Sequence, residues 1–142
     1  MTDNDSPVMF LETAKGWDLL AGERLGRLAV LADAGIEIFP INYVVQGETL
    51  VFRTADGTKL SALTNHAEVT FEIDQWDEMT GHSVVVRGVA APITDEEEIT
   101  QVEHLGLKPW VPTVKTTFVR IDVTELSARK FFFGLDPIDK YR

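Results

Sequence analysis

Residues 42–63 read NYVVQGETLVFRTADGTKLSAL, and this stretch decides the fold. An extended apolar segment ends at a turn over Gln46 and Gly47, and residues 49–54 return as a second strand. The sequence then breaks at residues 55–57, and a short amphipathic helix follows from about Thr58. The pattern predicts a β-hairpin whose second strand leads directly into the start of a helix.

The junction between this strand and this helix is a candidate anion-binding site. The first N–H groups of a helix lack partners within the helix and carry partial positive charge, which favours a bound anion. Gly57 allows a ligand to approach the backbone closely. A guanidinium, an ammonium and two hydroxyls lie nearby in the sequence, on Arg53, Lys59, Thr54 and Thr58. The alternative is a solvated hairpin followed by an ordinary capped helix, because such short strings are common.

The sequence before this stretch predicts another hairpin, with strands at residues 25–32 and 36–45 joined by a turn at residues 33–35. Pro40 falls inside the second of these strands. Because proline donates no ladder hydrogen bond, we expect the strand to bulge there or to lie at an edge. Either outcome exposes backbone beside Ile41 and Asn42.

The remaining sequence predicts more short strands and, with the helix near residue 58, three helices. The predicted elements are a helix at 8–22, a strand at 69–74, a polar turn at 75–81, a strand at 82–93 with a bulge at Gly88, a helix from the N-cap Thr94 with Glu97 in a capping box to Gly106, and strands at 114–123 and 129–133. Short connections and alternating patterns favour a mainly β fold with peripheral helices. We expect an antiparallel barrel of six to eight strands, of Greek-key or meander type.

The composition is that of one globular domain. The chain has 142 residues, of which 44% are hydrophobic, and it contains no cysteine. We expect a single domain at residues 8–142 after a polar, disordered lead at residues 1–7. No apolar run approaches the roughly 20 residues of a membrane helix, and residues 1–10 show no secretory signal. These features predict a cytoplasmic protein without a membrane partner.

The formal net charge of −10 argues against a nucleic-acid partner, since nonspecific nucleic-acid binding needs a cationic surface. Residues 68–103 hold ten acidic residues and only Arg87 as a base. The excess negative charge therefore lies away from Arg53 and Lys59 in the sequence. A local phosphate site remains compatible with the overall charge.

No metal-binding or nucleophilic pattern is present. The three histidines share no ligand spacing, and thiolate ligands are absent. The acidic residues after Thr94 fit a helix start better than a calcium loop. Ser83 lacks the G-x-S-x-G context of a hydrolase nucleophile. We therefore expect no metal site and assign no catalytic residue.

The order of the short motifs resembles that of a known superfamily. The chain contains, in order, GRLA before a turn, PINY, FRTADGTKL, FEID, SVVVRG and RKFFF. Across about residues 11–134 this series resembles the pyridoxamine 5'-phosphate oxidase-like, FMN-binding split-barrel superfamily. The resemblance implies an antiparallel split β-barrel that binds FMN. The chain lacks a counterpart of the C-terminal Trp and Arg motif of the oxidase itself, so oxidation of pyridoxine phosphate is not expected.

The resemblance also implies roles for particular residues. The backbone of Pro40, Ile41 and Asn42 would border the isoalloxazine ring. The family's phosphate contacts correspond to Arg53, Thr54 and Lys59, flanked by Phe52 and Leu60. In this family the flavin lies between the subunits of a homodimer, and the partner subunit would supply the residues that correspond to Ser83 and Trp110.

Several functions are compatible with this resemblance. The first is an oxidoreductase in which FMN passes electrons from a reduced nicotinamide to a small conjugated substrate. The alternatives are an FMN storage or carrier protein, a heme- or tetrapyrrole-binding module, and a reductase that uses a deazaflavin. A deazaflavin's long acidic tail would need a wider basic groove than Arg53 and Lys59 provide.

Overall fold

The computed structural model describes residues 6–55, 57–107 and 117–134. Most of the predicted N-terminal lead and Trp110 lie outside these residues. The described strands are β1 (Val8–Leu11), β2 (Leu25–Ala32), β3 (Gly35–Gln46), β4 (Thr49–Thr54), β5 (Glu68–Trp76), β6 (Thr80–Pro92) and β7 (Thr117–Phe132), and the helices are α1 (Thr13–Ala21), α2 (Thr58–Asn65) and α3 (Glu96–Glu103). None of these three helices is long and apolar enough to span a bilayer.

The seven described strands form one antiparallel sheet that closes on itself. Its order is β1-β7-β4-β3-β2-β5-β6, and a further pairing between β6 and β7 closes the sheet, with β1 added along the edge of β7. The predicted mainly β, antiparallel barrel with peripheral helices is therefore confirmed. The seven strands fall within the predicted range of six to eight.

The barrel interior is filled by the apolar side chains that alternate along its strands. Phe71 of β5 is fully buried and meets the Tyr43 ring edge-on, with ring centroids 4.8 Å apart. The helices α1 and α2 add Leu20 and Leu63 to the same cluster. Burial of large side chains on this scale is the main source of the fold's stability.

A smaller apolar cluster lies outside the barrel, where α3 covers β4 and β7. Its buried members are Val51, Ile93, Val102 and Phe118. Arg120 of β7 reaches Glu98 of α3, with 3.1 Å between the guanidinium nitrogen and the carboxylate oxygen. Because Val51 and Phe118 face outward, Arg53 and other residues in phase with Val51 on β4 also face this side of the sheet.

The C-terminal part of the described chain differs from the prediction of two strands. β7 is one continuous strand from Thr117 to Phe132. One of its edges pairs with β6 along almost its whole length, while the other pairs first with β4 and then with β1. These partners keep the polar residues 124–127 extended. A register shift between Arg87 and Gly88 marks an irregularity at the predicted position, but the extra residue is Thr124 of β7, which lies between the paired residues Val123 and Glu125.

Two predicted helix boundaries were wrong. Residues 8–11 form strand β1 instead of the first turns of a helix, because β7 offers them a free edge with Val8 opposite Phe131. In α3 the N-cap is Asp95, not Thr94, and its carboxylate accepts a hydrogen bond from the backbone N–H of Glu98 at 3.0 Å. The capping mechanism holds, but it begins one residue later.

Candidate functional site

The barrel opens where the pairing between β3 and β4 stops. Tyr43 lies opposite Phe52 in the last pair of this ladder. The same register would next place Asn42 opposite Arg53, but the β3–β4 ladder ends before this position. Beyond this point β3 pairs only with β2, and β4 pairs only with β7. We call the opening between residues 36–42 of β3 and Arg53 of β4 the split.

One side of the split is a β3 edge without a strand partner among the described residues. Pro40 lies opposite Arg27 of β2 without a break in register, so there is no bulge at the proline. The edge alternative of the prediction is therefore confirmed, and its physical reason is the proline's missing N–H. Ile41 points into the core, whereas Asn42 is half-buried and its Nδ2 donates to the carbonyl oxygen of Arg24 at 3.3 Å.

The other side of the split carries two cations held against aromatic rings. The guanidinium carbon of Arg53 lies 4.9 Å from the centroid of the Phe118 ring. The Nζ atom of Lys59, in the first turn of α2, lies 5.0 Å from the centroid of the Phe39 ring. Because Phe39 belongs to β3, the Lys59 side chain connects α2 with the β3 edge. The structure thus brings both predicted phosphate-binding cations to the split.

The start of α2 is open to an anion. Gly57 occupies the N-cap position with φ +153°, a conformation that other residues rarely adopt. A Cβ atom at this position would have no heavy atom of the described residues within 4 Å. The first turn contains no acidic residue. N–H groups at a helix start and a nearby ammonium such as that of Lys59 are groups that commonly bind phosphate.

The remaining predicted residues occupy different places. Phe52 is fully buried in the barrel, and Leu60 packs against the same core. Thr54 is also buried, and its hydroxyl donates to the carbonyl oxygen of Ala55 at 3.2 Å. These three residues are therefore packed in or against the barrel core next to the split. Ser83 pairs with Arg129, which lies 11 residues along β7 from the Arg53 partner Phe118, or about 36 Å of strand.

A cavity of about 450 Å³ adjoins Asn42 on the outer side of β3. Its walls come from three separate segments, namely residues 21–24, residues 42–45 and the turn at residues 105–107. The first two of these segments are held together, because the carbonyl oxygen of Arg24 accepts hydrogen bonds from both Asn42 and the backbone N–H of Tyr43. The hydroxyl of Tyr43 donates to the carbonyl oxygen of Leu20 at 2.6 Å, and burial raises the pKa of this hydroxyl.

A charged cluster on the outer face of β2 and β5 was also not predicted. Arg27 donates from Nη2 to Glu72 at 2.7 Å and to Asp74 at 2.6 Å. The hydrogen bond with Glu72 raises the pKa of Arg27, while burial raises the pKa of Glu72. Since Arg27 and Glu72 are 45 residues apart, no local pattern could reveal this cluster or the cavity.

Comparison with known sequences identifies a family. The family model described as pyridoxamine 5'-phosphate oxidase matches residues 12–130 of the chain. An uncharacterised protein of Mycobacterium tuberculosis is 37% identical over 94 residues, which cover 66% of this chain and 86% of that protein.

Solved structures with the same fold share this similarity. The FAD-binding protein of Mycobacterium smegmatis is 40% identical with a TM-score of 0.75, covering 88% of this chain and 99% of the other. A conserved protein of unknown function from Corynebacterium diphtheriae is 42% identical with a TM-score of 0.77, covering 89% of this chain and 99% of the other.

Proposed function

The chain belongs to the pyridoxamine 5'-phosphate oxidase family, and on this premise we propose that it is a flavoprotein that binds FMN at the split. One observation carries the proposal. Arg53 at the end of β4 and Lys59 in the first turn of α2 lie on either side of the break at Gly57, and the Lys59 side chain reaches Phe39 of β3. A phosphate monoester carries up to about two negative charges at neutral pH, which two cations and several N–H donors match.

The residues of the split divide the binding between them. Arg53, Lys59 and the first turn of α2 hold the phosphate, and the backbone of Pro40, Ile41 and Asn42 holds the polar edge of the ring. Phe39 and Phe118 fix the two cations in place, which lowers the entropy lost on binding. When bound, FMN supplies hydride and electron transfer.

We further propose that the loaded protein is a cytoplasmic oxidoreductase that passes electrons from a reduced nicotinamide to a small conjugated substrate. The β3 edge supports this, because Pro40 is exposed and small molecules can reach it. In such an enzyme the protein binds and orients the flavin and the substrate and excludes water, so no nucleophilic residue is required.

We also propose a homodimer, because the site is incomplete within one chain. Ser83 lies far along the sheet from Arg53, so only a second copy could bring it to the split. Apolar side chains that a second copy could cover are exposed on the outer sheet face and at the end of β7; they are Leu31, Ile36, Ile38, Val89, Phe132 and Phe133. Sedimentation of the FMN-loaded protein at micromolar concentration should give the dimer mass. A loaded monomer would contradict both the dimer and the shared site.

The phosphate site is tested by titrating flavin-free protein with FMN. Charge-assisted hydrogen bonds contribute about 1.5–3 kcal/mol, so Arg53→Ala and Lys59→Ala should each weaken FMN roughly ten- to a hundredfold. Lys15→Ala removes an exposed lysine of α1 and is the matched control. It should bind FMN like the unmodified protein. Unchanged affinity in both split variants would remove Arg53 and Lys59 from the site.

The cofactor and the reaction are tested together. The mass and visible spectrum of the cofactor released from purified protein distinguish FMN from FAD, a deazaflavin or a heme. Anaerobic mixing of the loaded protein with NADH or NADPH should then bleach the flavin faster than it bleaches free FMN. Reduction no faster than that of free FMN would favour the storage or carrier function instead.

A further inference from the structure

The cavity beside Asn42 has a chemical character of its own. It is lined by the apolar residues Val44, Leu105 and Leu107 and by two charged residues, Glu23 and Arg24, which we call the rim. A volume of about 450 Å³ is within the usual range for small-molecule sites. Because the carbonyl oxygen of Arg24 is bonded to two residues of β3, the rim is held at a fixed position relative to the split.

The charge at the rim favours an anion. Arg24 is exposed, and the ion pairs among the described residues use Arg27, Arg87 and Arg120 but not Arg24. The neighbouring carboxylate of Glu23 is turned to β5, where it accepts a hydrogen bond from Nε2 of Gln75 at 2.7 Å. Within the described residues, the guanidinium of Arg24 is therefore the group at this rim that still lacks a counter-ion.

We propose that this cavity is the binding site for the substrate that accepts electrons, and that this substrate is a planar conjugated carboxylate. The apolar walls contact the planar body, and Arg24 pairs with the carboxylate. The assignment rests on the proposed flavin function, because Asn42 belongs both to the cavity and to the edge of the split. In this proposal Arg24 is the residue that determines specificity for a carboxylate substrate over a neutral one.

The test measures binding and does not depend on turnover. 2-Naphthoate and its neutral analogue 2-naphthamide are titrated into flavin-free and FMN-loaded protein, and the methyl NMR signals of Val44 and Leu105 are followed. An exposed ion pair contributes up to about 1 kcal/mol, so naphthoate should bind about fivefold more tightly than naphthamide. Leu105→Trp, which fills the cavity, should abolish the binding of both compounds.

Substitutions separate the charge effect from the shape of the cavity. Arg24→Gln should reduce naphthoate to the affinity of naphthamide, and Arg24→Lys should restore part of the difference. Arg129→Gln removes another exposed arginine, on β7, and should leave both affinities unchanged. Equal affinities for the two probes in the unmodified protein, or full naphthoate affinity in Arg24→Gln, would overturn the proposal.

The flavin-loaded titration distinguishes this proposal from the flavin function itself. If FMN displaces naphthoate, or if Arg24→Gln weakens FMN as strongly as Lys59→Ala does, the cavity is part of the flavin site and the substrate assignment is wrong. If the protein binds no FMN but flavin-free protein still prefers naphthoate through Arg24, the flavin function fails while the carboxylate site stands.

Discussion

The β5–β6–β7 side of the barrel and the split between β3 and β4 differ in how completely their backbones are paired. β6 pairs with β5 on one edge from Gly81 to Val89 and with β7 on the other from Thr80 to Pro92. At the split, the β3 edge from Ile36 to Asn42 has no strand partner among the described residues. Complete ladders stabilise the fold, whereas a strand edge that no other strand covers is a place where a ligand can approach the backbone.

The two regions also differ in charge. The acid-rich residues 68–103 form β5, β6 and α3, while the split carries Arg53 and Lys59. A chain with a net charge of −10 therefore still presents a local cationic site. Substitutions in the paired region should act on stability, and those at the split should act mainly on binding.

The largest effect is expected for Phe71→Ala on the paired side. Phe71 has 0% of its surface exposed, so truncation leaves a cavity that should cost about 4 kcal/mol of the free energy of unfolding. Urea unfolding of flavin-free protein measures this change. Phe10→Ala is the matched control, because Phe10 is 71% exposed and its loss should cost less than about 0.5 kcal/mol. Similar losses in the two variants would contradict the assignment of the core.

Gly88→Ala should have the next largest effect. A Cβ atom at Gly88 would collide with the carbonyl oxygen of Asp122 and lie 2.7 Å from Cγ2 of Ile121. The β-bulge must then shift, at a cost of about 2 kcal/mol in the free energy of unfolding. Gly134→Ala introduces the same atom where no heavy atom of residues 6–55, 57–107 and 117–134 lies within 4 Å, and it should be nearly neutral. A tolerated alanine at position 88 would show that the bulge moves easily.

Asn42 lies where the paired part of β3 meets the split, and we expect Asn42→Leu to affect both stability and flavin chemistry. The substitution removes the hydrogen bond to Arg24 and should lower the free energy of unfolding by about 1 kcal/mol. We expect it to shift the flavin's reduction potential or slow turnover more than it weakens FMN binding. Potentiometry and FMN titration of the same variant test this. An affinity loss as large as that of Lys59→Ala would show that Asn42 acts in cofactor binding instead.

Asp77 lies in the turn between β5 and β6, and Asp77→Ala should have the smallest effect on stability. Hydrogen bonds from the backbone N–H groups of Thr80 and Met79 lower the pKa of Asp77 below its ordinary value of 3.8. The ionised carboxylate therefore stabilises the fold above about pH 4, and this contribution is lost as the pH falls through the lowered pKa. Thermal unfolding should show a lower midpoint for Asp77→Ala at pH 7, with a smaller difference from the unmodified protein near pH 3. A pH-independent difference would mean that the charge of Asp77 is not involved.

Local patterns predicted the central hairpins well. Turn residues at 33–35 and 46–47 separate alternating apolar segments, and β2, β3 and β4 follow these segments closely. Residues 8–11 and 124–127 were not predicted correctly, because their own side chains do not specify a strand. They are extended because β7 pairs with β1 and with β6, which are distant in the sequence.

The sequence by itself determined the strands of the two central hairpins, the break at Gly57 and the cations on either side of it, because turn propensity, alternation and charge are local properties. Only the tertiary structure decided where the pairing of β3 and β4 stops, so that Asn42 and Arg53 lie on opposite sides of one opening. It also assembled the cavity beside Asn42 and the cluster around Arg27 from distant segments. Register and barrel closure depend on the pairing of all strands at once, and no short stretch of sequence contains that information.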